Sequence, residues 1–296
     1  MITIRSTPRA GALICGLVLG LAAALGASAG PAGAEPALWK VESGGATAYL
    51  YGSVHLLKHD AVWDTPKVEA ALGRSQELWL EITDVDDPAA MQTTVRSLGT
   101  DPAHPLTARL DDARRKRLAD ILTGIGAPTT ALDPMRPWLA AVTLSVFPLQ
   151  KAGYDPAAGV DRLLKQAAVK RGLPVFGFET SAGQLHYLAD MSEAEQMDML
   201  NQSLDDYDTA LSDLDQMEAA WERGDDAEIG RLERKGMTPA LYQRLLAGRN
   251  VLFAQQLIAR MKKPGVIFVA VGAAHLAGPD SVQTLLARAG LKAVRQ

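Results

Sequence analysis

Cysteine is almost missing from this chain, with one residue, Cys15, in 296. Cys15 lies inside an N-terminal apolar stretch. A chain that sheds that stretch has no disulfide, no thiol nucleophile and no thiolate metal site. Excess positive charge is missing too, since 30 Lys and Arg stand against 34 Asp and Glu, for a net charge of −4. The densest basic run (Arg114, Arg115, Lys116, Arg117) is offset by Asp111, Asp112 and Asp120 and reads as a solvated helix face, so no nucleic-acid partner is expected. There is no Gly-x-Ser-x-Gly elbow, no Walker loop and no Gly-x-Gly-x-x-Gly after a strand. Nucleophilic serine chemistry and nucleotide binding therefore have no support. The signature of disorder is also lacking, with 48% hydrophobic and 22% charged residues, which is ordinary globular composition.

What is present begins with a leader. Arg5 and Arg9 precede an apolar stretch from Gly11 to Ala29, and Ala32-Gly33-Ala34 places small residues before Glu35. This is the layout of a secretory signal peptide over residues 1–34, and it implies a periplasmic or secreted protein. The alternative is an uncleaved anchor, the only membrane contact expected. Ile14 stands where a lipoprotein site needs a small residue. The remaining residues, 35–296, have the length of one large α/β domain or two small ones.

Leu38–Val41 and Thr47–Tyr51 read as strands around Ser43-Gly44-Gly45. Thr65 and Pro66 open a helix to Leu72. Glu77–Ile82 is a short strand, and the alternation of strand and helix suggests a mostly parallel or mixed sheet built from two related halves. Pro88 to Gln150 is helical, with breaks at Pro102, Pro105, Pro128, Pro134 and Pro137. Val160–Ala168 is a helix opened by Asp161, and Leu173–Phe178 is a strand ending at Glu179. Met197, Leu200, Leu204, Tyr207, Leu211 and Leu214 form a helix-packing stripe that continues to Met217 and Trp221. It belongs to an α-helical insertion over about 185–250. Pro239–Met261 is a helix carrying Arg249 and Asn250. Val266–Val271 is the most strand-like run, and a helix from Asp280 to Ala289 closes the chain.

Two segments match: Tyr49-Leu50-Tyr51-Gly52-Ser53-Val54-His55-Leu56 and Val269-Ala270-Val271-Gly272-Ala273-Ala274-His275-Leu276. In each, a strand meets Gly-x-x-His. Gly52 and Gly272 let the backbone turn without a Cβ to obstruct a ligand or a neighbouring chain. The histidine then stands just beyond the carboxyl end of a strand, where open α/β sheets bind ligands. Two such turns could bring His55 and His275 together as metal ligands; two satisfied structural histidines are the alternative. Gly183-Gln184-Leu185-His186 has the same spacing but follows polar residues, so His186 reads as an ordinary helix residue. His59 and His104 are set aside. Glu81 and Glu179 each end a strand at the same edge and could complete the site or supply its base. Imidazole plus carboxylate, with no thiolate, suits Mn²⁺, Zn²⁺, Co²⁺ or Fe²⁺. Arg249 is either an anion clamp or a surface cation.

These motifs resemble the TraB/GumN family, related to the TIKI proteins that inhibit Wnt signalling. The likeness rests on LYGSVHLLK (Leu50–Lys58), ELWLEI (Glu77–Ile82), GVDRLL (Gly159–Leu164), GLPVFGFETSAGQ (Gly172–Gln184), RNVLFAQQLI (Arg249–Ile258) and FVAVGAAHLAGPDSV (Phe268–Val282). It implies an α/β fold with a metal-dependent site at His55, His275 and Glu81, supported by Arg249 and Asn250. For the TIKI branch it implies a peptidase acting on secreted proteins. The expected activity is thus an exported metallohydrolase of the peptidase kind, holding a divalent ion such as Mn, Co or Zn. Non-catalytic capture of a peptide or small ligand in the same cleft is the alternative, and partner docking through Glu193–Gly224 is a third.

Overall fold

The computed structural model describes residues 34–84 and 87–296. Apart from Ala34, the expected leader, with Cys15 in it, lies outside the described residues. Among the described residues no helix is long and apolar enough to cross a membrane.

The fold is mixed α/β, around one six-stranded sheet. β1 (Leu38–Ser43) and β2 (Ala46–Ser53) form an antiparallel hairpin. Both turn residues, Gly44 and Gly45, have positive φ, the conformation a tight hairpin with matched twist requires. β3 (Glu77–Leu80), β4 (Val175–Gly177), β5 (Gly265–Gly272) and β6 (Ala293–Arg295) complete the order β4-β3-β5-β2-β1-β6. Strands β4, β3, β5 and β2 run parallel, while β1 and β6 pair antiparallel at the other edge. The two Gly-x-x-His strands lie side by side: Gly52 pairs with Val271 and Ser53 with Gly272.

Alternation along the strands serves both faces. Tyr49, Tyr51, Phe268 and Ala270 pack with Val160, Leu164, Leu214 and Trp221 on one side. Ala48, Leu50, Ile267, Val269 and Val271 pack with Phe253, Leu257, Val282 and Leu286 on the other. Coverage on both faces is why β5 reads as a continuous apolar run.

A third core is purely helical. It joins Leu106, Leu118, Leu122, Trp138 and Leu144 to Met199, Leu200 and Leu204. The helices expected between Pro88 and Gln150 are Pro88–Gly99, Leu106–Arg109, Asp112–Gly124 and Pro137–Lys151. The 197–221 stripe is divided into Glu193–Asp206 and Ala210–Glu222. Leu204 serves the helical core, whereas Leu214, Met217 and Trp221 serve the sheet, and Leu211 between them is partly exposed. The carboxylates around the break, Asp205, Asp206 and Asp208, are unfavourable at the negative end of a helix; Asp205 and Asp208 are taken by Arg114 and Arg117 instead. The Pro239–Met261 helix likewise has three parts: one turn (Pro239–Tyr242), a π-helical segment (Gln243–Ala247) and an α-helix (Gly248–Arg260). A π segment re-aims the residues that follow it and is frequent at functional sites; here the next residues are Gly248, Arg249 and Asn250.

Candidate functional site at the carboxyl edge of the sheet

Four neighbouring parallel strands each deliver one residue at the same edge. Glu179 follows β4, Glu81 follows β3, His275 follows β5 and His55 follows β2. The expected role of the two glycines is half right. Neither has positive φ, so neither is needed for an unusual backbone. Both are needed for close approach. A Cβ on Gly52 would stand 3.1 Å from the Ala273 Cα, where the His275 turn crosses. A Cβ on Gly272 would stand 3.2 Å from Glu81 Oε1, 3.5 Å from His55 Nε2 and 3.6 Å from His275 Cδ2. The empty position over Gly272 is therefore a cradle on which both histidines and Glu81 converge.

Each imidazole is oriented through its Nδ1. Asn250 Nδ2 donates to the Asp280 carbonyl at 2.8 Å, which turns Oδ1 toward His275 Nδ1 at 2.5 Å. His275 thus carries its proton on Nδ1 and leaves a lone pair on Nε2. His55 Nδ1 lies 2.7 Å from Asp161 Oδ2, and Ser53 Oγ donates to the other oxygen of Asp161 at 2.6 Å. The helix Val160–Lys170 is anchored there by Val160 N–H donating to the Val54 carbonyl, and a Cβ on Gly159 would collide with the His55 carbonyl. Such outer partners fix the tautomer and direction of metal-binding histidines.

Arg249 is buried, not a surface cation. Its guanidinium donates to Glu81 Oε2 at 2.5 Å and to Glu179 Oε2 at 2.8 Å, and Nη1 lies 3.1 Å from His275 Nε2. Phe253 and Tyr187 present ring faces to it. Glu179 also accepts from Gln184 and from the Tyr187 hydroxyl. With its oxygens so engaged, Glu179 anchors Arg249, and the base role expected for it is not what its contacts favour. Glu81 accepts from Gln184 at 2.9 Å and from Gly272 N–H at 2.7 Å. Two buried carboxylates against one guanidinium leave the cluster net negative.

The electrostatics separate the two histidines. Burial pushes His275 down to about 3, with Arg249 and His55 adding to it and Glu81 opposing. Burial opposes ionisation of Glu81, yet Arg249, His55 and the Gly272 N–H hold it well below the usual carboxylate range. Glu81 and His275 titrate together, and ionised Glu81 beside neutral His275 is the arrangement that stands, because the guanidinium is always charged. The Asp161 carboxylate pushes His55 up to about 9; its side chain is 57% exposed, so solvent screening weakens that preference.

A histidine whose folded pKa is depressed leaves the unfolded chain holding more protons between about pH 3 and 6.5, so it makes stability rise with pH there. Replacing His275 by Gln removes that proton difference. Between pH 4.5 and 6.5 the stability of wild type minus that of His275→Gln should climb by up to about 1.4 kcal/mol per pH unit. Taking the difference cancels opposing carboxylates such as Asp226, which burial raises to about 6. Urea titrations across that window with a chelator present give the slope, and a flat difference would show that His275 is not buried neutral.

Two cavities meet at His55 and Glu81. The inner one, about 230 Å³, lies under the two turns, against the helices Ala210–Glu222 and Asp226–Lys235. The outer one, about 480 Å³, is bordered by Asp161, Arg162, Lys165 and Gln184. Glu179 lines neither. His186 is exposed on its helix, bonded to Asp190. His59 and His104 bond Asp155 and Asp101 away from the site.

Sequence reasoning placed His55, His275, Glu81, Glu179, Arg249 and Asn250 at one site, and the structure brings all six together. It missed Asp161, Ser53, Gln184 and Tyr187 as their partners. Asp161 and Gln184 lie within the motifs GVDRLL and GLPVFGFETSAGQ, a signal that was there to use. Among the described residues no three His, Cys, Asp or Glu side chains stand in ready metal-holding geometry.

Comparisons with curated proteins and with solved structures find no match. A comparison with family models does. The TraB/PrgY/gumN family model covers residues 37–295, which takes in every residue of the site, and the chain belongs to that family.

Proposed function

We propose that the chain is an exported, metal-dependent hydrolase, acting on peptides in the periplasm or outside the cell. The observation that carries the metal is the cradle over Gly272. His55 Nε2, Glu81 Oε1 and the His275 ring edge approach one empty position, both Nδ1 atoms are held by outer acceptors, and the cluster is net negative. Two imidazoles and a carboxylate fit Mn²⁺, Co²⁺ or Zn²⁺. Export rests on the leader pattern, and a peptide substrate rests on the TIKI resemblance.

The ion would hold His55, His275 and Glu81 as ligands, lower the pKa of bound water and polarise a carbonyl. The chain's own residues do the rest. Asn250 fixes the lone pair of His275. Asp161 aims His55 and accepts its Nδ1 proton, which would leave the Nε2 lone pair for the ion. Arg249 holds Glu81 and Glu179 in place. Glu81 is the carboxylate nearest the cradle and, with an ion bound, would be the base for water there. The substrate spans the two cavities, which meet at His55 and Glu81.

Metal analysis of protein purified and dialysed against Mn²⁺ or Zn²⁺ tests this reading. Wild type should hold about one equivalent, and the double variant His55→Ala/His275→Ala close to none. Equal content in the two would sink it. One observation favours a second reading, non-catalytic capture in the same cleft: Arg249 Nη1 already meets the His275 Nε2 lone pair, so an ion must displace it. Saturable peptide binding without cut products would select that reading.

A further inference from the structure

The inner cavity carries a charge that the proposed chemistry does not use. Its wall opposite the histidine turns is apolar, formed by Met217, Trp221, Ile229, Met237 and Leu246. Among these stands Glu233, 8% exposed. It lies on the buried face of the Asp226–Lys235 helix, one turn beyond Ile229. That helix is packed on the His275 turn: a Cβ on Gly230 would meet Gly278 N at 3.2 Å and the Ala277 Cβ at 3.3 Å. Among the described residues no donor bonds the Glu233 carboxyl and no cation pairs with it. Its neighbours on the helix are otherwise engaged or turned out: Glu228 pairs with Arg231, and Arg234 reaches toward Gly278.

An unpaired carboxylate on the apolar wall of a cavity is an unfavourable object in isolation. Burying such a group costs free energy that a partner must return. Buried polar groups in folded proteins are otherwise almost always satisfied. Burial pushes the Glu233 carboxyl up to about 7, the behaviour of an acid that lacks a counter-charge. The partner is therefore to be sought in what enters the cavity. An alkyl chain would be covered by the Met, Trp, Ile and Leu side chains, and its charged end would need an anion.

We propose that Glu233 recognises an ammonium group of the substrate, the inner cavity taking an alkylammonium side chain or a free N-terminal amine beside the hydrolytic centre. The placing beside a reacting amide rests on the hydrolase reading; the binding of an ammonium does not.

The test uses the full-length protein at pH 8 and two probes of one shape, n-hexylammonium and n-hexanol, titrated calorimetrically. Wild type should bind the ammonium at least about tenfold more tightly than the alcohol, as a charge-assisted hydrogen bond requires. Glu233→Gln should erase the difference while leaving hexanol binding unchanged. Should Glu233→Gln fail to fold by circular dichroism, Glu233→Met, which keeps the volume and removes the polar atoms, takes its place. Equal binding of both probes to wild type, or a preference that survives in the variant, overturns the proposal. Peptides with lysine or norleucine, each with a free or an acetylated N-terminus, then separate the two sources: the change that lowers binding tenfold names the group. Binding with that selectivity but no cleavage would refute the hydrolase and leave Glu233 standing; cleavage with no ammonium preference would do the reverse.

Discussion

Arg249→Met should cost the metal-free protein about 3–5 kcal/mol of stability at pH 7, the range for removing one member of a buried ion pair. The figure rests on burial. The Arg249 side chain is 10% exposed and its partners Glu81 and Glu179 are 6% and 8%. Removing the guanidinium leaves two carboxylates facing each other across a site with little water to screen them. The protein's relief is to bind a proton, so the loss should shrink as pH falls toward 5. Arg249→Lys should recover little, because one ammonium cannot bridge two carboxylates and His275 at once as the planar fork does. A denaturant midpoint with unchanged slope measures the loss. The cycle with Glu179→Gln shows whether it is electrostatic: in the double variant the penalty should fall by half or more. The hydrolase reading adds a sign. If Arg249 competes with the ion for His275 Nε2, saturating Mn²⁺ should stabilise Arg249→Met more than wild type, by about 2.7 kcal/mol for each hundredfold by which the variant binds the ion more tightly. A variant within 0.5 kcal/mol of wild type would show that the cluster does not depend on the guanidinium, and the site as described would be wrong.

The edge residues were legible because the signal is local. Strand periodicity locates the carboxyl end of each strand, and His55, His275, Glu81 and Glu179 lie within three residues of one. Arg249 was legible in part. It falls three residues after buried Leu246 and four before buried Phe253, which puts it on the inward face of its helix; spacing could not say that two carboxylates awaited it. Asp161 was read as a helix opener, which is true of its local sequence, but its function comes from His55, 106 residues away. No window in the sequence spans that distance. Glu233 was invisible for the same reason: a glutamate on an amphipathic helix looks solvated until the helix is laid over the His275 turn. The stripe from Met197 to Trp221 shows the converse error. One periodicity served two different cores, and only the packing reveals the break at Tyr207 to Thr209.

Glu81→Gln should lower peptide turnover by about 10²–10⁴-fold, the range for loss of a positioned acid–base group, at a modest cost in stability. Arg249 keeps Glu179, and an amide oxygen can still accept from the Gly272 N–H, so the fold should lose about 1–3 kcal/mol, as for one unmade buried hydrogen bond. The comparison that gives the number meaning is Glu179→Gln. Both variants remove one negative charge and one partner of Arg249, so a purely structural role predicts equal damage. The geometry predicts inequality. Glu81 Oε1 faces the cradle 3.2 Å from the missing Gly272 Cβ, whereas Glu179 spends its oxygens on Arg249, Gln184 and Tyr187. Glu179→Gln should therefore retain activity to within about tenfold of wild type, a barrier difference of about 1.4 kcal/mol. Metal content separates the two as well: it should fall in Glu81→Gln and hold in Glu179→Gln. Equal loss of turnover and equal metal content in both would assign the carboxylates a shared structural duty and take Glu81 out of the chemistry.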